Sequence, residues 1–418
     1  MLWRVAYTLV AHAVLPIAIV RSLWKGRKQP GYFRNFSERF GRYPVRPDRP
    51  VIWLHAVSVG ETRAAEPLVK ALESAYPDHR ILLTTLTPTG RETARLAFGD
   101  RVLCCYVPYD VPWAVDAFLH HYRPRLGALL ETELWPNLIH ACHSRGVPLF
   151  LVNARMSERS ARGYGRVAAL ARAALRELAG VGAQSASDAQ RLSALGAQHV
   201  EITGNLKFDR GPQPDDLARA QHLRALFGSG RPVFVAASTR EGEEELVLDA
   251  LAHAPPELLT VIVPRHVQRF DAVAGLLTRR GLRIQRRSDD QPIRADTQIV
   301  LGDSMGELFA YYGACDIAFI GGSLLPLGGQ NLLEACAVGT PVLIGPHTFN
   351  FAEATRLAVE AGAAIQVPDS AGLGEALTRL LREPARRESM GDAGVALMKQ
   401  HQGATERTLS LLRAADHR

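Results

Sequence analysis

The sequence predicts an α/β protein built as two Rossmann-like, doubly wound domains. Three observations carry this. The chain has 418 residues, more than one hydrophobic core ordinarily serves, so two domains are expected. From residue 50 onward, short apolar runs alternate with stretches of helical periodicity, which is the pattern of βαβ units. That alternation pauses at "FDRGPQPDD" (208–216), rich in turn-formers and charge, and then starts again. A content of 47% hydrophobic and 22% charged residues excludes a disordered chain.

Ahead of the first strand lies Val5 to Val20, "VAYTLVAHAVLPIAIV", an apolar run broken only by His12 and Pro16. A bilayer span takes about 20 apolar residues, so this is a short membrane anchor, assigned to residues 1–22. A cleaved signal peptide fits poorly, because the small-x-small site Ala11-His12-Ala13 precedes the end of the run. Between Arg21 and Arg42 seven basic residues (Arg21, Lys25, Arg27, Lys28, Arg34, Arg39, Arg42) stand against Glu38 alone, which supplies most of the net charge of +7. Such a cluster marks the cytoplasmic side of a membrane. The interleaved Trp24, Tyr32, Phe33, Phe36 and Phe40 suit headgroup depth. An apron of this kind is expected to hold anionic headgroups or an anionic lipid substrate, with Arg34, Arg39 and Arg42 as contacts. A core helix with a solvated basic face is the alternative. Nucleic acid is disfavoured, since the charge is tied to an apolar anchor and no recognition motif is present. Five scattered cysteines without a C-x-x-C argue against a disulfide framework or zinc module and for small buried hydrophobes.

The expected strands of the first domain (23–210) are 51–56, 81–86, 102–107, 126–131, 148–153 and 180–185. Several are apolar throughout, as parallel strands covered on both faces should be. Amphipathic stretches such as "ETRAAEPLVKALESA" (61–75) supply the helices. The second domain (217–390) repeats the pattern at 232–238, 259–264, 297–302, 317–322 and 341–346, and 391–418 reads as a helical tail that can cross back to the first domain. Ligands in such sheets bind outside the carboxyl ends of the strands, and with two domains the expected site is the cleft they face. No G-x-G-x-x-G after a strand and no Walker A sequence is present, which takes most of the support from NAD-dependent and P-loop chemistry.

Polar motifs fall where these folds place ligands. In the second half Gly328 and Gly329 allow close backbone approach, and a helix expected from near Gln330 would offer N–H groups to a phosphate. Glu334, sharing a face with Gln330 and Asn331, suits the hydroxyls of a ribose. A plain strand-to-helix turn is the alternative reading. Arg265 can pair bidentately with a phosphate or base carbonyl, Thr239 and Arg240 can line the same space, and Met305-Gly306-Glu307 offers backbone to a base edge. In the first half, Glu61 and Glu131 both follow expected strands, and Lys207 lies just before the linker. Glu61, near a helix N-terminus, is expected to stay ionised, because the dipole favours the anion. Glu133 would point away from Glu131 if the strand continued, and reads as structural.

Taken in order, "HAVSVGE", "TPTG", "ETELWPNLI", "NARMS", "GNLKFD", "VPRH", "GDSMGEL", "GGSL…GGQN-LLE" and "GPHTFNF" resemble the 3-deoxy-D-manno-octulosonic acid (Kdo) transferases of Gram-negative lipopolysaccharide assembly. The resemblance runs from the anchor to about residue 352. It implies a GT-B fold, and a metal-independent inverting glycosyltransferase without cofactor at the cytoplasmic side of the inner membrane. Its donor would be cytidine monophosphate-Kdo (CMP-Kdo) and its acceptor the tetra-acylated lipid A precursor, lipid IVA. By matched position it implies Glu61 as general base and Glu131 and Lys207 as transition-state stabilisers. Pro264, Arg265, Met305, Gly306, Glu307, Asn331, Leu332, Leu333 and Glu334 would hold CMP. The family commonly has histidine where this chain has Gln330, which puts any proton-related role of that position in doubt. A transferase using another nucleotide sugar, such as a uridine diphosphate sugar, would share the fold. A non-enzymatic membrane-attached binding module would leave the paired carboxylates unexplained.

Overall fold

Two seven-stranded sheets organise the chain, and the strand pairings in both are parallel. A computed structural model describes residues 2–228 and 230–414. The outer ends of the ranges 1–22 and 391–418 therefore lie outside the described residues. The first sheet contains β1 (Val51–His55), β2 (Arg80–Thr85), β3 (Val102–Tyr106), β4 (Pro124–Leu130), β5 (Leu149–Ala154), β6 (Gly180–Ala183) and β7 (Val200–Ile202), in the order β3-β2-β1-β4-β5-β6-β7. The second contains β8 (Val233–Thr239), β9 (Leu259–Pro264), β10 (Ile284–Arg286), β11 (Ile299–Leu301), β12 (Ile317–Ile320), β13 (Val342–Ile344) and β14 (Ala364–Gln366), in the order β10-β11-β9-β8-β12-β13-β14. Strand order reverses between β1 and β4 in one sheet and between β8 and β12 in the other. Beyond the carboxyl ends at such a reversal lies the crevice that takes ligands in doubly wound sheets.

The central strands β1, β5, β8 and β9 are buried along their whole length, which is why they read as apolar runs. Three strands escaped the sequence reading. β7, β10 and β14 are three-residue strands at or next to the sheet edges, each with partly exposed residues, so no continuous apolar run marks them. The helix expected over 61–75 is two helices, Val59–Ala64 and Glu66–Ala75, because Pro67 opens a new first turn where its missing N–H costs nothing.

The chain divides into two compact units, Met1–Arg210 with His401–Arg418, and Gly211–Gln400. The first sheet is covered on one face by a core around Trp53, Phe118 and Leu175 and on the other by a core around Leu54, Leu68 and Leu72. Leu409, Leu411 and Leu412 of the last helix, Ala404–Arg413, complete the second of these cores. Gly182 of β6 leaves room for Leu411 to approach. Asp209 fastens this helix, accepting from the backbone N–H of Gly403 (2.7 Å) and Thr405 (2.5 Å). The tail therefore divides later than the sequence suggests: residues to 400 stay with the second unit, and the return begins at His401.

The N-terminal helix runs Leu2–Lys28 with Pro16 inside it, and its stretch Trp3–Arg27 is long and apolar enough to cross a membrane. Trp3, Leu9, Val10, Ile17, Val20 and Trp24 are exposed. A polar strip holds the helix to its own unit: Tyr7 donates to Asp110 Oδ2 (2.8 Å) and Thr8 to Asn137 Oδ1 (2.8 Å), with Ser22 Oγ 3.4 Å from the Tyr109 hydroxyl. Of the expected cationic contacts, Arg34 and Arg42 are exposed, but Arg39 is buried. Its guanidinium stacks 4.2 Å from the centre of the Tyr106 ring and donates to the Leu86 carbonyl (2.9 Å). Beside it Glu38 is buried in a bidentate pair with Arg91. Arg39 thus packs the domain and does not face lipid.

Candidate active site

In the first unit the polar residues gather at the reversal between β1 and β4. Ser58 caps the helix Val59–Ala64, accepting from the Glu61 N–H (3.3 Å), and its hydroxyl donates to Glu61 Oε1 (2.8 Å). The Val57 N–H donates to Glu61 Oε2 (2.8 Å). The S-x-x-E sequence thus folds Glu61 back over the helix start and leaves it only 8% exposed. Burial, then the nearby Glu131 carboxylate, push the Glu61 carboxyl up to about 7, against the hydrogen bonds from Val57 and Ser58. The expectation that the helix dipole keeps Glu61 ionised is therefore corrected. Desolvation and a like charge outweigh one helix terminus, and the group titrates near neutrality.

Glu131 follows β4 directly, with φ at +61° in the left-handed region that non-glycine residues avoid. That turn ends the strand at Leu130. Glu133 consequently does not sit on a continued strand facing away. It accepts from the Trp135 indole (2.8 Å), its own carboxyl is raised by burial, and its charge contributes to raising Glu61. Lys207 Nζ donates to Glu131 Oε1 at 3.3 Å. So the structure brings Glu61, Glu131 and Lys207 together, as the sequence suggested.

Two further residues in this crevice were not assigned from sequence. Asn153, at the end of β5, has φ +51° and accepts from the Leu206 N–H (3.0 Å), which fixes the turn bearing Lys207. Its side-chain Nδ2 is buried and has no partner among the described residues. His55, the last residue of β1, places Nδ1 near the Thr84 carbonyl (3.1 Å) and hydroxyl (2.9 Å). Burial pushes it down to about 4, so the ring is neutral, and its Nε2 is buried without a partner among the described residues. Both belong to quoted motifs, but an unsatisfied polar atom is a property of the fold and has no sequence signal.

In the second unit the candidate donor residues divide. Arg265 leaves β9 with its N–H on the Thr239 carbonyl (3.0 Å) and its Nε donating to Gln330 Oε1 (3.3 Å). Gln330 thus supplies a neutral acceptor that orients a cation. Burial, then Arg240, Arg265 and Arg269, push His266 down. Of these three, Arg269 is paired with the buried Glu244 carboxylate (2.6 Å), which leaves Arg240 and Arg265 as the cations offered at the ends of β8 and β9. Pro264 is buried, Met305 is exposed, and Gly306 has φ +81°. Glu307 is reached by Arg287 Nη2 at 3.5 Å.

Other assignments change. Thr239 is buried and its hydroxyl donates to Glu244 Oε1 (2.8 Å), so it supports the crevice from beneath and does not line it. The helix expected near Gln330 begins at Leu333 and covers only Leu333–Ala337, because Asn331 accepts from the Leu333 N–H (3.2 Å) in a side-chain turn first. Leu332 and Leu333 bury their side chains in the core. Glu334, also buried, accepts from Asn331 Nδ2 at 3.4 Å. Gly328 and Gly329 have φ of +91° and +73°, the left-handed conformation for which glycine is suited. Among the described residues no group of three His, Cys, Asp or Glu is placed to hold a metal ion.

Known proteins show the family. The family model for 3-deoxy-D-manno-octulosonic-acid transferase (kdotransferase) matches residues 34–210, and that for glycosyl transferases group 1 matches 233–396. The 3-deoxy-D-manno-octulosonic acid transferase of Haemophilus influenzae is 40% identical over 420 residues, 99% of this chain and 98% of the relative. That of Bordetella pertussis is 43% identical over 427 residues, 98% of each chain. In fold the chain is similar to a glycosyltransferase from Rickettsia africae, with a TM-score of 0.59 at 12% identity over 88% of this chain and 99% of that one. The fold is GT-B. The chain belongs to the 3-deoxy-D-manno-octulosonic acid transferase family.

Proposed function

We propose that the chain moves Kdo from CMP-Kdo to the lipid A precursor lipid IVA by an inverting displacement in which Glu61 is the general base. Membership of the family makes it a glycosyltransferase of lipopolysaccharide biosynthesis; the acceptor, the stereochemistry and the base are our reading. One observation carries it: a buried carboxyl raised to about 7 at the strand-order reversal of the first sheet, beside a Glu131–Lys207 pair. A sugar hydroxyl is too weak an acid to attack unaided, and a base titrating near the working pH is the effective one.

In the step proposed, the acceptor oxygen bonds to the anomeric carbon of Kdo while its proton passes to Glu61. The bond from that carbon to the phosphate oxygen breaks, and CMP leaves with the electron pair. Glu131 faces the positive charge that develops on the anomeric carbon, and Lys207 the carboxylate of Kdo. Pro264, Arg265, Met305, Gly306, Glu307 and the segment Asn331 to Glu334 take CMP. Leu332 and Leu333 can take part only through backbone, since their side chains are buried. Arg240 and Arg265, at the ends of β8 and β9, suit the leaving phosphate, so we assign that charge to arginine and not to a divalent ion.

The test is purified protein with CMP-Kdo and lipid IVA in the presence of EDTA, read by mass spectrometry of the lipid and by CMP released. Lipid gaining at least one Kdo, with inhibition by CMP and not by UDP, is the expected result. Inhibition by UDP alone would assign another nucleotide sugar, and no CMP release with any acceptor would leave a binding module.

We further propose that the helix Leu2–Lys28 embeds in the inner membrane from its cytoplasmic side. Its exposed apolar residues and the exposed Arg34 and Arg42 support this. Removing residues 2–28 should move the protein from the membrane pellet to the supernatant with its fold retained. A folded truncation that still sediments completely would refute the anchor.

A further inference from the structure

Glu243 has no exposed surface, yet it carries a carboxylate with four backbone donors converging on it. Oε2 accepts from the N–H groups of Gly322 (2.5 Å) and Arg240 (3.1 Å). Oε1 accepts from Ser323 (2.9 Å) and Leu324 (3.0 Å). Arg240 follows β8, and the other three lie in the loop that leaves β12. These are the two strands that flank the order reversal of the second sheet. The approach is close: a Cβ on Gly321 would lie 2.5 Å from the Ser238 carbonyl oxygen.

In doubly wound sheets a concavity of backbone N–H groups at this place is an anion site. Here the protein's own carboxylate fills it. The effect does not stop at the loop's start. The peptide group joining Gly322 to Ser323, gripped through the Ser323 N–H by Glu243 Oε1, accepts through the Gly322 carbonyl from the Gly329 N–H (2.7 Å). Gly329 precedes Gln330, whose amide oxygen accepts from Arg265. A continuous chain of hydrogen bonds and one peptide step thus joins Glu243 to the cation assigned to the donor.

We infer that Glu243 is a positioning residue for donor binding, an internal anion that occupies the strand-reversal nest and fixes the loop from Gly321 to Gln330. With the nest filled and negatively charged, the donor's phosphate is excluded from it and is directed to the arginines at the ends of β8 and β9. This rests on the reading of the second unit as the CMP-binding one. Glutamine at 243 would keep the shape but turn an NH2 group toward two backbone N–H groups, so half the clamp would become repulsive.

The experiment compares the full-length wild type with E243Q, E243D and D316N. Asp316 is a partly buried acceptor of a backbone N–H at the opposite, amino end of the sheet, where it accepts from the Val233 N–H (2.7 Å) and Arg224 (3.1 Å). Thermal midpoints, CMP affinity by calorimetry and KM for each substrate are measured. E243Q should raise the Kd for CMP and the KM for CMP-Kdo about tenfold or more, with the acceptor KM unchanged. E243D, which keeps the charge, should fall between E243Q and wild type, and it serves alone if E243Q does not fold. D316N should lower the midpoint and leave CMP affinity within about twofold. Unchanged CMP affinity in the Glu243 variants overturns the inference, as does an equal change in D316N at matched stability. A folded wild type that binds no CMP overturns the donor reading and the inference with it.

Discussion

Replacing Glu61 by glutamine is expected to lower kcat roughly 10²–10⁴-fold while the Kd for CMP stays unchanged, since a proton acceptor is removed and nothing in the donor unit is altered. Glutamine preserves the contact with Val57 and the volume of the side chain. The loss would therefore be one of chemistry and not of fold, and an unchanged thermal midpoint checks this. The pH dependence gives an independent test. A base works unprotonated, so wild-type kcat/KM should climb with pH and level off above about 7, the value to which burial and Glu131 bring the Glu61 carboxyl. The second cause can be removed: E131Q takes away a like charge, so any residual activity should reach its plateau at lower pH. Wild-type-like turnover by E61Q would end the assignment of Glu61 as base. A rate independent of pH between 5 and 8 would show that some other group limits proton transfer.

The second large effect is expected at Arg265. Arg265→Ala should weaken CMP binding about 10- to 100-fold, because a charge-assisted hydrogen bond carries on the order of 1.5–3 kcal/mol. Arg265→Lys should recover only part of this, since an ammonium cannot reproduce the planar fork or keep the Nε contact with Gln330. Calorimetry with CMP, beside a measurement of the acceptor KM, separates donor from acceptor effects. An unchanged CMP affinity in R265A would move the phosphate site elsewhere.

What the sequence revealed followed from burial. β1, β5, β8 and β9 are covered on both faces, so an apolar run was sufficient to find them. β7, β10 and β14 are three residues long and only partly covered, so local pattern could not show them. At the candidate site, position after a strand grouped Glu61 with Glu131, and position just before the linker added Lys207. Their tuning was not legible, because the rise of Glu61 depends on desolvation and on distance to Glu131. Arg39 was misread for a related reason. A basic run suggests a solvated face, but one member of this run has an aromatic ring and a carbonyl as its tertiary partners. Glu243 was the least visible, the first of three consecutive glutamates by sequence and a four-fold acceptor only once the loop after β12 arrives.

The return of the last helix to the first sheet also sets an order of events during synthesis. The face of that sheet completed by Leu409, Leu411 and Leu412 stays open until the 190 residues Gly211–Gln400 have been translated. At roughly 5–20 residues per second that interval is about 10–40 s. Throughout it the nascent chain carries its apolar N-terminal helix already made and one apolar face still bare. The second unit is free to fold inside this interval, and the first closes only after it, when the helix Ala404–Arg413 emerges.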